Sequence, residues 1–424
     1  MCITIFPLRN VVLGLSNIKI KMDLKLNKIF ESFAENNIFR DKSSLQVNFQ
    51  PEEILFRDEQ IKQIALILAP ILRGEKTSNL FLYGKTGTGK TLSIQWVKNE
   101  LLKRFDKKND FSLSIKYINC KLKKVSDTEY RILAEIIKKF GGNIPNTGLP
   151  TQAVYNKFID VVDSKKQLVV LIFDEIDQVV KKISNDFLYN LTRFNSELSK
   201  SQVCLVGISN NLTFLDEIDP RVKSSLSEEE IVFPPYNASQ LKEILKKRSE
   251  KAFKKGVLQE GVISKCAAYA AREHGDARRA LDLLRVAGEL AERDNSKKIQ
   301  LNHIDGANNK IEKDKIIDIV MSEPKQFQMV LSSIIFLSES VKKEPFFTGD
   351  VYNFYCSICQ KNKMDILTQR RVSDIIQEFD MLGIINVRVI SKGRGGRMRE
   401  IKLAINNEIL KKVKSIIEES LKYN

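Results

Sequence analysis

Between Asn79 and Phe233, short apolar runs alternate with amphipathic stretches of helical length. The runs 79–83, 112–119, 168–173, 203–208 and 230–233 read as strands. Enough chain lies between them for a helix each time, so the alternation predicts an α/β unit, a parallel sheet with flanking helices. Leu168 to Phe173 is apolar without interruption, which predicts a strand buried on both faces. Phe233-Pro-Pro-Tyr236 breaks the pattern. From Ala238 to about Asn308 the periodicity is helical and no strand is predicted. Upstream, Asp23 to Glu75 also reads as helical, with a turn near Gln50-Pro51.

A third unit starts near Glu323-Pro324. Phe327–Leu337 and Val351–Ile358 predict two helices, and Thr368 reads as the N-cap of a third. On that third helix Val372, Ile375, Ile376, Phe379 and Leu382 share one face. Gln369, Arg370, Arg371, Ser373 and Gln377 lie opposite. Gly383 ends the helix. A strand Ile384–Ile390, a glycine-rich turn over 391–399 and a short strand to Leu403 follow. Three helices and a hairpin make the winged-helix plan, whose polar third helix is the kind that enters a major groove. Lys392, Arg394, Arg397 and Arg399 crowd the hairpin tip, which predicts contact with nucleic-acid phosphates or a minor groove.

The chemistry is concentrated in two of the strand ends. Residues 79–91 read NLFLYGKTGTGKT, a phosphate-loop pattern between an apolar run and a helical run. Gly84, Gly87 and Gly89 permit the tight turn, and the backbone N–H groups of Thr86, Gly87, Thr88 and Gly89 would cradle phosphate oxygens. Lys90 opens the following helix and would reach the β- and γ-phosphates, while the Thr91 hydroxyl is a Mg²⁺ ligand candidate. The buried strand ends in Asp174-Glu175, at the carboxyl edge where open α/β sheets bind ligands. Asp174 is the second candidate for Mg²⁺, and Glu175 is placed to orient or deprotonate an attacking water. Asn210, at the end of the 203–208 run, is a candidate to help hold that water. Gly275-Asp-Ala-Arg278-Arg279 opens an apolar-periodic helix, from which an arginine reaching the γ-phosphate would make domain closure depend on nucleotide.

Composition sharpens the choice of partner. The 424 residues carry a net charge of +16, with 69 basic and 53 acidic side chains, which points to a polyanion and most simply to nucleic acid. An anionic membrane surface ranks lower, because no 18-residue apolar stretch or basic amphipathic anchor is present. Six scattered cysteines do not form a disulfide framework and fit a reducing, intracellular location. Cys356 and Cys359 read as helix-packing residues. The first residues lack a cleavage signature, and Met22 reads as an alternative start.

The phosphate loop, the DEID box, the GISNN strand end and the HGDARRAL helix follow the order of the AAA+ ATPases. The wider set, with YINCK, DPRVKSSL, FPPY and the GRGGR wing, resembles the archaeal replication-initiator family, across roughly residues 25–415. That family is similar to the largest subunit of the eukaryotic origin recognition complex and to the eukaryotic helicase-loading factor. The resemblance implies an N-terminal extension over 1–22, an AAA+ nucleotide-binding domain over 23–236, an all-helical lid over 237–315 and a winged-helix domain over 320–415. It implies that Tyr236 packs near the adenine, that Arg248 contacts the nucleotide and that Arg278 is the arginine that senses the γ-phosphate. Arg57 sits in an adenine-side motif, but Leu55-Phe56 stands where the family shows Pro-His. An intersubunit arginine is missing from Ser224-Ser225-Leu226, and Arg221 is a substitute candidate. The segment 122–153 lies where initiators insert a helical element that touches DNA. The implied function is an ATP/ADP- and Mg²⁺-dependent, slow switch-type ATPase, cytoplasmic and nucleoid-associated. It would recognise double-stranded origin DNA, act as a homo- or hetero-oligomer and help recruit the replicative helicase. A clamp-loader-like or helicase-like ATPase and an ATP-sensing transcription regulator are the alternatives.

Overall fold

A computed structural model describes residues 37–105, 110–121, 128–145, 147–183, 185–214, 218–226, 228–340, 346–391, 397–405 and 407–422. The chain divides into two compact units, one ending at Ile304 and one beginning at Asp305.

In the first unit, helix α1 (Asp58–Leu68) precedes strand β1 (Asn79–Tyr83), which feeds α2 (Lys90–Arg104) through the glycine-rich loop. Then come β2 (Ser112–Asn119), α3 (Glu129–Lys139), α4 (Thr151–Val162), β3 (Gln167–Asp174), α5 (Ile176–Lys182) and α6 (Asn185–Glu197). Strand β4 (Ser201–Ser209), α7 (Pro220–Leu226) and β5 (Glu228–Val232) complete the sheet region. The five strands lie parallel in the order β2-β3-β4-β1-β5. Every residue of β3 is buried, and the two faces feed different cores. Val169, Leu171 and Phe173 join one cluster, with α3, α4 and α6. Leu168, Val170 and Ile172 join the other, with α1 and α2. That period of two is why an unbroken apolar run suits this strand. Gly207 stands opposite Phe81 in the register, and a Cβ there would lie 2.4 Å from the Phe81 ring.

Helices α8 (Ala238–Ala252), α9 (Val262–Arg272) and α10 (Ala277–Arg293) follow the Pro-Pro break. Asn237 and Gln240 form a reciprocal capping box on α8, and Asp276 caps α10 through the Arg278 and Arg279 amides. The expected helix over 23–75 is corrected within the described part. Residues 46–57 run as an irregular strap, after a short 3-10 turn at Lys42–Leu45. Pro51 removes a helical donor, Phe56 takes φ +59°, and long-range contacts described below outweigh local propensity.

Helix α11 (Leu301–Ser322) follows. The second unit continues with α12 (Lys325–Ser340), β6 (Phe346–Phe347), α13 (Thr348–Lys361), α14 (Gln369–Met381), β7 (Ile385–Ser391), β8 (Arg397–Leu403) and α15 (Asn407–Lys422). Its sheet is antiparallel with the order β6-β8-β7. The hairpin is therefore joined by a short third strand, and α15 packs Ile409, Val413 and Ile417 into the core; neither element was expected. Cys359 is buried in the same core and Cys356 packs against it. Val372, Ile375, Ile376 and Phe379 are the buried face of α14, and Thr368 accepts from the Arg371 amide as its N-cap.

Candidate functional site

The carboxyl ends of β1, β3 and β4 converge on a cleft of about 660 Å³ in the first unit. Thr86, Gly87, Thr88, Gly89, Lys90 and Thr91 line it, together with Asp174, Glu175, Asn210, Tyr236, Arg248 and Arg278. Gly84 lies behind that lining. A Cβ on Gly84 would stand 2.5 Å from the Phe233 carbonyl oxygen, and at φ +153° the residue favours glycine. Gly87 is tighter still, since a Cβ there would stand 1.7 Å from Asp276 Oδ1 at the start of α10. Glycine at position 87 therefore lets the loop pack against the helical segment.

Lys90 is 5% exposed. Its Nζ donates to the Gly84 carbonyl at 2.6 Å, the Lys85 carbonyl at 2.8 Å and Asn210 Oδ1 at 3.0 Å. Burial pulls its ammonium down to about 8, against the opposing pull of Asp174. Thr91 Oγ1 donates to Asp174 Oδ2 at 2.9 Å. These are hard oxygen donors facing one cleft, and they fit the ligand chemistry of Mg²⁺. Glu175 takes φ +58° and ψ +46° at the start of α5, a left-handed conformation rare for a side-chain-bearing residue. Its carboxylate lies 3.7 Å from Lys121 Nζ. The Asn210 amide N–H and the Ser209 hydroxyl both donate to Asp177 Oδ1, which ties the end of β4 to α5.

Arg57 is a larger contributor than its motif suggested. It is 2% exposed, and no carboxylate pairs with it among the described residues. Its Nε donates to the Thr88 carbonyl at 2.8 Å, Nη1 to the Phe56 carbonyl at 3.1 Å and Nη2 to the Pro234 carbonyl at 2.6 Å. The guanidinium stacks 3.9 Å from the centre of the Tyr236 ring. Burial lowers its pKa. Tyr236 thus packs on Arg57 while it lines the cleft. Arg248 also lines the cleft, but its guanidinium serves the strap. It donates to the Ser44 and Phe49 carbonyls and lies 4.5 Å from the Phe49 ring centre. Burial brings it down to about 10. Lys247–Glu53 at 2.5 Å and Lys251–Glu52 at 2.7 Å fasten the strap to α8. Tyr117, the first residue of the YINCK motif and not expected at the site, donates to Asp174 Oδ2 at 2.5 Å.

In the second unit, Gln369, Arg370 and Arg371 are exposed at the start of α14. Arg371 lies 3.8 Å from Glu378. Arg399 turns toward the helix, and its Nη1 donates to Ser373 Oγ at 2.9 Å and to the Ser373 carbonyl at 3.3 Å. Lys392 and Arg394 lie outside the described residues, and Arg397 is described only as the first residue of β8. Of the segment 122–153, residues 128–145 and 147–153 are described, and they include α3 and the start of α4.

A parallel sheet with a phosphate loop, an acidic strand end and a helical segment touching that loop defines an AAA+ ATPase, here followed by a winged-helix unit. Family models match in the same order: "AAA domain" over residues 73–215, "Cdc6 AAA+ ATPase-type lid domain" over 242–309 and "CDC6, C terminal winged helix domain" over 318–413. The chain belongs to the ORC1-type DNA replication proteins. It is 49% identical to the member from Thermococcus onnurineus (strain NA1) over 388 residues, 90% of this chain and 92% of that one. The Pyrococcus furiosus protein is 48% identical over 395 residues, 92% of this chain and 93% of that one. Among solved structures, the Aeropyrum pernix ORC1 protein in complex with DNA is 40% identical with a TM-score of 0.78, covering 90% of this chain and 97% of that one. CDC6P from Pyrobaculum aerophilum, 18% identical with a TM-score of 0.57, covers 91% of this chain and 100% of that one and shares the fold. No helix among the described residues is long and apolar enough to cross a membrane.

Proposed function

We propose that this chain is an ATP-controlled initiator of chromosomal replication, which binds double-stranded origin DNA and helps recruit the replicative helicase. The observation that carries the reading is the joining of two devices in one chain. One is the cleft in which Lys90, Thr91, Asp174 and Glu175 converge, and the other is the exposed Gln369-Arg370-Arg371 start of α14. Lys90 would move from the loop carbonyls to the β- and γ-phosphates. Thr91 and Asp174 would hold Mg²⁺, which would supply positive charge to offset that of the phosphates. Glu175 would orient the attacking water and take its proton, with Asn210 and Lys90 beside it. Arg278 would report the γ-phosphate to the helical segment.

Hydrolysis is read as a slow switch rather than a motor. DNA contact would come from α14 in the major groove, from the wing by phosphate or minor-groove contact, and from the segment 122–153. Assembly on DNA as homo- or hetero-oligomers belongs to the same reading. Genome-wide mapping of bound sites tests it: enrichment at the replication origin is expected, and enrichment at promoters alone would refute it.

A further inference from the structure

The Asp174 carboxylate carries an unequal load. Its Oδ2 accepts from the Thr91 hydroxyl at 2.9 Å and from the Tyr117 hydroxyl at 2.5 Å. Its Oδ1 accepts no hydrogen bond among the described residues. The sheet explains how Tyr117 comes to be there. In the parallel β2–β3 ladder, Tyr117 stands beside Ile172 and Asn119 beside Asp174. Residues two apart on a strand share a face, so Tyr117 and Asp174 project to the same side. The Tyr117 ring packs on the core cluster that contains Ile172 and Ile94. Its length carries the hydroxyl forward to the carboxylate, which is 8% exposed. Tyr117 is half-buried on the wall of the cleft, and a hydrogen bond to a charged acceptor is among the stronger ones. A phenol keeps its proton at neutral pH, so the hydroxyl remains a donor.

We infer that Tyr117 is a positioning residue of the nucleotide site: its hydroxyl, with that of Thr91, fixes the orientation of the Asp174 carboxylate and so sets the preference for metal-bound over metal-free nucleotide. This rests on the reading that Asp174 serves Mg²⁺–ATP. Tyr117 does not touch the nucleotide in this account; it acts through Asp174. Without its hydroxyl the carboxylate retains the Thr91 contact but loses its second tether, and rotamers that misplace the free oxygen become accessible.

The test uses full-length protein and ATP, with affinity measured by calorimetry in saturating Mg²⁺ and again in EDTA. The ratio of the two is the gain due to the metal. Tyr117→Phe keeps the ring and removes only the hydroxyl, and a thermal melt checks that its fold is intact. The metal gain should fall about ten-fold, the loss expected for one hydrogen bond to a charged acceptor, while affinity in EDTA stays within about two-fold of wild type. Asp174→Asn, run in parallel, should abolish most of the gain. If Asp174→Asn loses the gain and Tyr117→Phe keeps it, the role of Tyr117 is overturned and the role of Asp174 stands. If Tyr117→Phe loses affinity equally with and without Mg²⁺, the hydroxyl merely supports the cleft and the inference fails. A gain that survives Asp174→Asn overturns both. Tyr117→Met, which fills the space with a flexible apolar chain, should behave as Tyr117→Phe does, and wild-type metal dependence in that variant would also overturn the inference.

Discussion

Arg57→Ala tests what holds the phosphate loop of this ATPase in shape. One guanidinium, 2% exposed, donates to three carbonyls, of Phe56, Thr88 and Pro234. A hydrogen bond from a charged donor contributes about 1.5–3 kcal/mol, and a buried carbonyl left without its donor costs about 1–3 kcal/mol. Against that loss, removing a buried guanidinium that has no carboxylate partner recovers a desolvation penalty of several kcal/mol. Three such bonds sum to about 4.5–9 kcal/mol, which that recovery offsets only in part, so Arg57→Ala should destabilise the fold by about 2–4 kcal/mol. The phosphate loop has no such offset. Thr88 lies in the loop itself, and its carbonyl orientation fixes where the following amides point. A looser loop should lower ATP and ADP affinity by roughly 10- to 100-fold, or about 1.4–2.8 kcal/mol. Arg57→Lys should lose nearly as much, because one ammonium on a flexible stem cannot replace donors held at 2.8 Å and 2.6 Å on two separate segments. Calorimetry with both nucleotides, beside thermal melts of each variant, supplies the measurement. Wild-type affinity in a folded Arg57→Lys or Arg57→Ala variant would refute the reasoning.

Other expectations can be checked at separate sites. Lys90→Ala should largely abolish ATP binding, whereas Glu175→Gln should retain it and block phosphate release; normal turnover in Glu175→Gln would remove Glu175 from the water-activating role. Asp163 accepts from the Ser199, Lys200 and Ser201 amides and the Ser199 hydroxyl. Burial pushes its carboxyl up, but these bonds prevail and bring it from 3.8 down to about 2. Its folded pKa lies below the unfolded one, so its contribution is present above about pH 4 and lost as pH falls toward 2. Asp163→Ala should therefore destabilise at pH 7 by about 1–2 kcal/mol and much less near pH 2, read from denaturant midpoints. Arg399→Ala should leave the slope of log K against log salt within a few tenths of wild type, because Arg399 holds Ser373 rather than a phosphate, yet reduce discrimination between origin and random DNA. A slope change near 0.9 would instead make Arg399 a phosphate contact.

The strands were legible because burial imposes the same rule on sequence and structure. Leu168–Phe173 is apolar on both sides because β3 is covered on both faces. The five expected strands recur within a few residues of their observed bounds for that reason. The Thr368 cap and the apolar face of α14 were legible because both depend on neighbours along one helix. The strap over 46–57 was misread because its shape is set by residues some two hundred positions away, Arg248 among them. β6 is two residues long, too short for periodicity to register. At the site, the phosphate loop and the acidic strand end have local signatures, whereas Tyr117 belongs to the site only through the register that sets Asn119 beside Asp174. Tyr117 opens the YINCK motif, but an aromatic residue on a β-strand ordinarily signifies packing, and the motif does not show that its hydroxyl reaches Asp174.

The Arg57 bridge also bears on how the protein comes into being. The motif at 84–91 is contiguous in sequence, but its shape draws on Arg57 before it, on Pro234 well over a hundred residues after it, and on Asp276 packed against Gly87. Contacts so distant in sequence carry a loop-closure cost that is met late in folding. A nascent chain that has made only the first strands therefore holds the glycine-rich segment without its finished geometry. Nucleotide, which binds the completed site, stabilises only the completed unit, by mass action at the end of folding rather than as a template at its start.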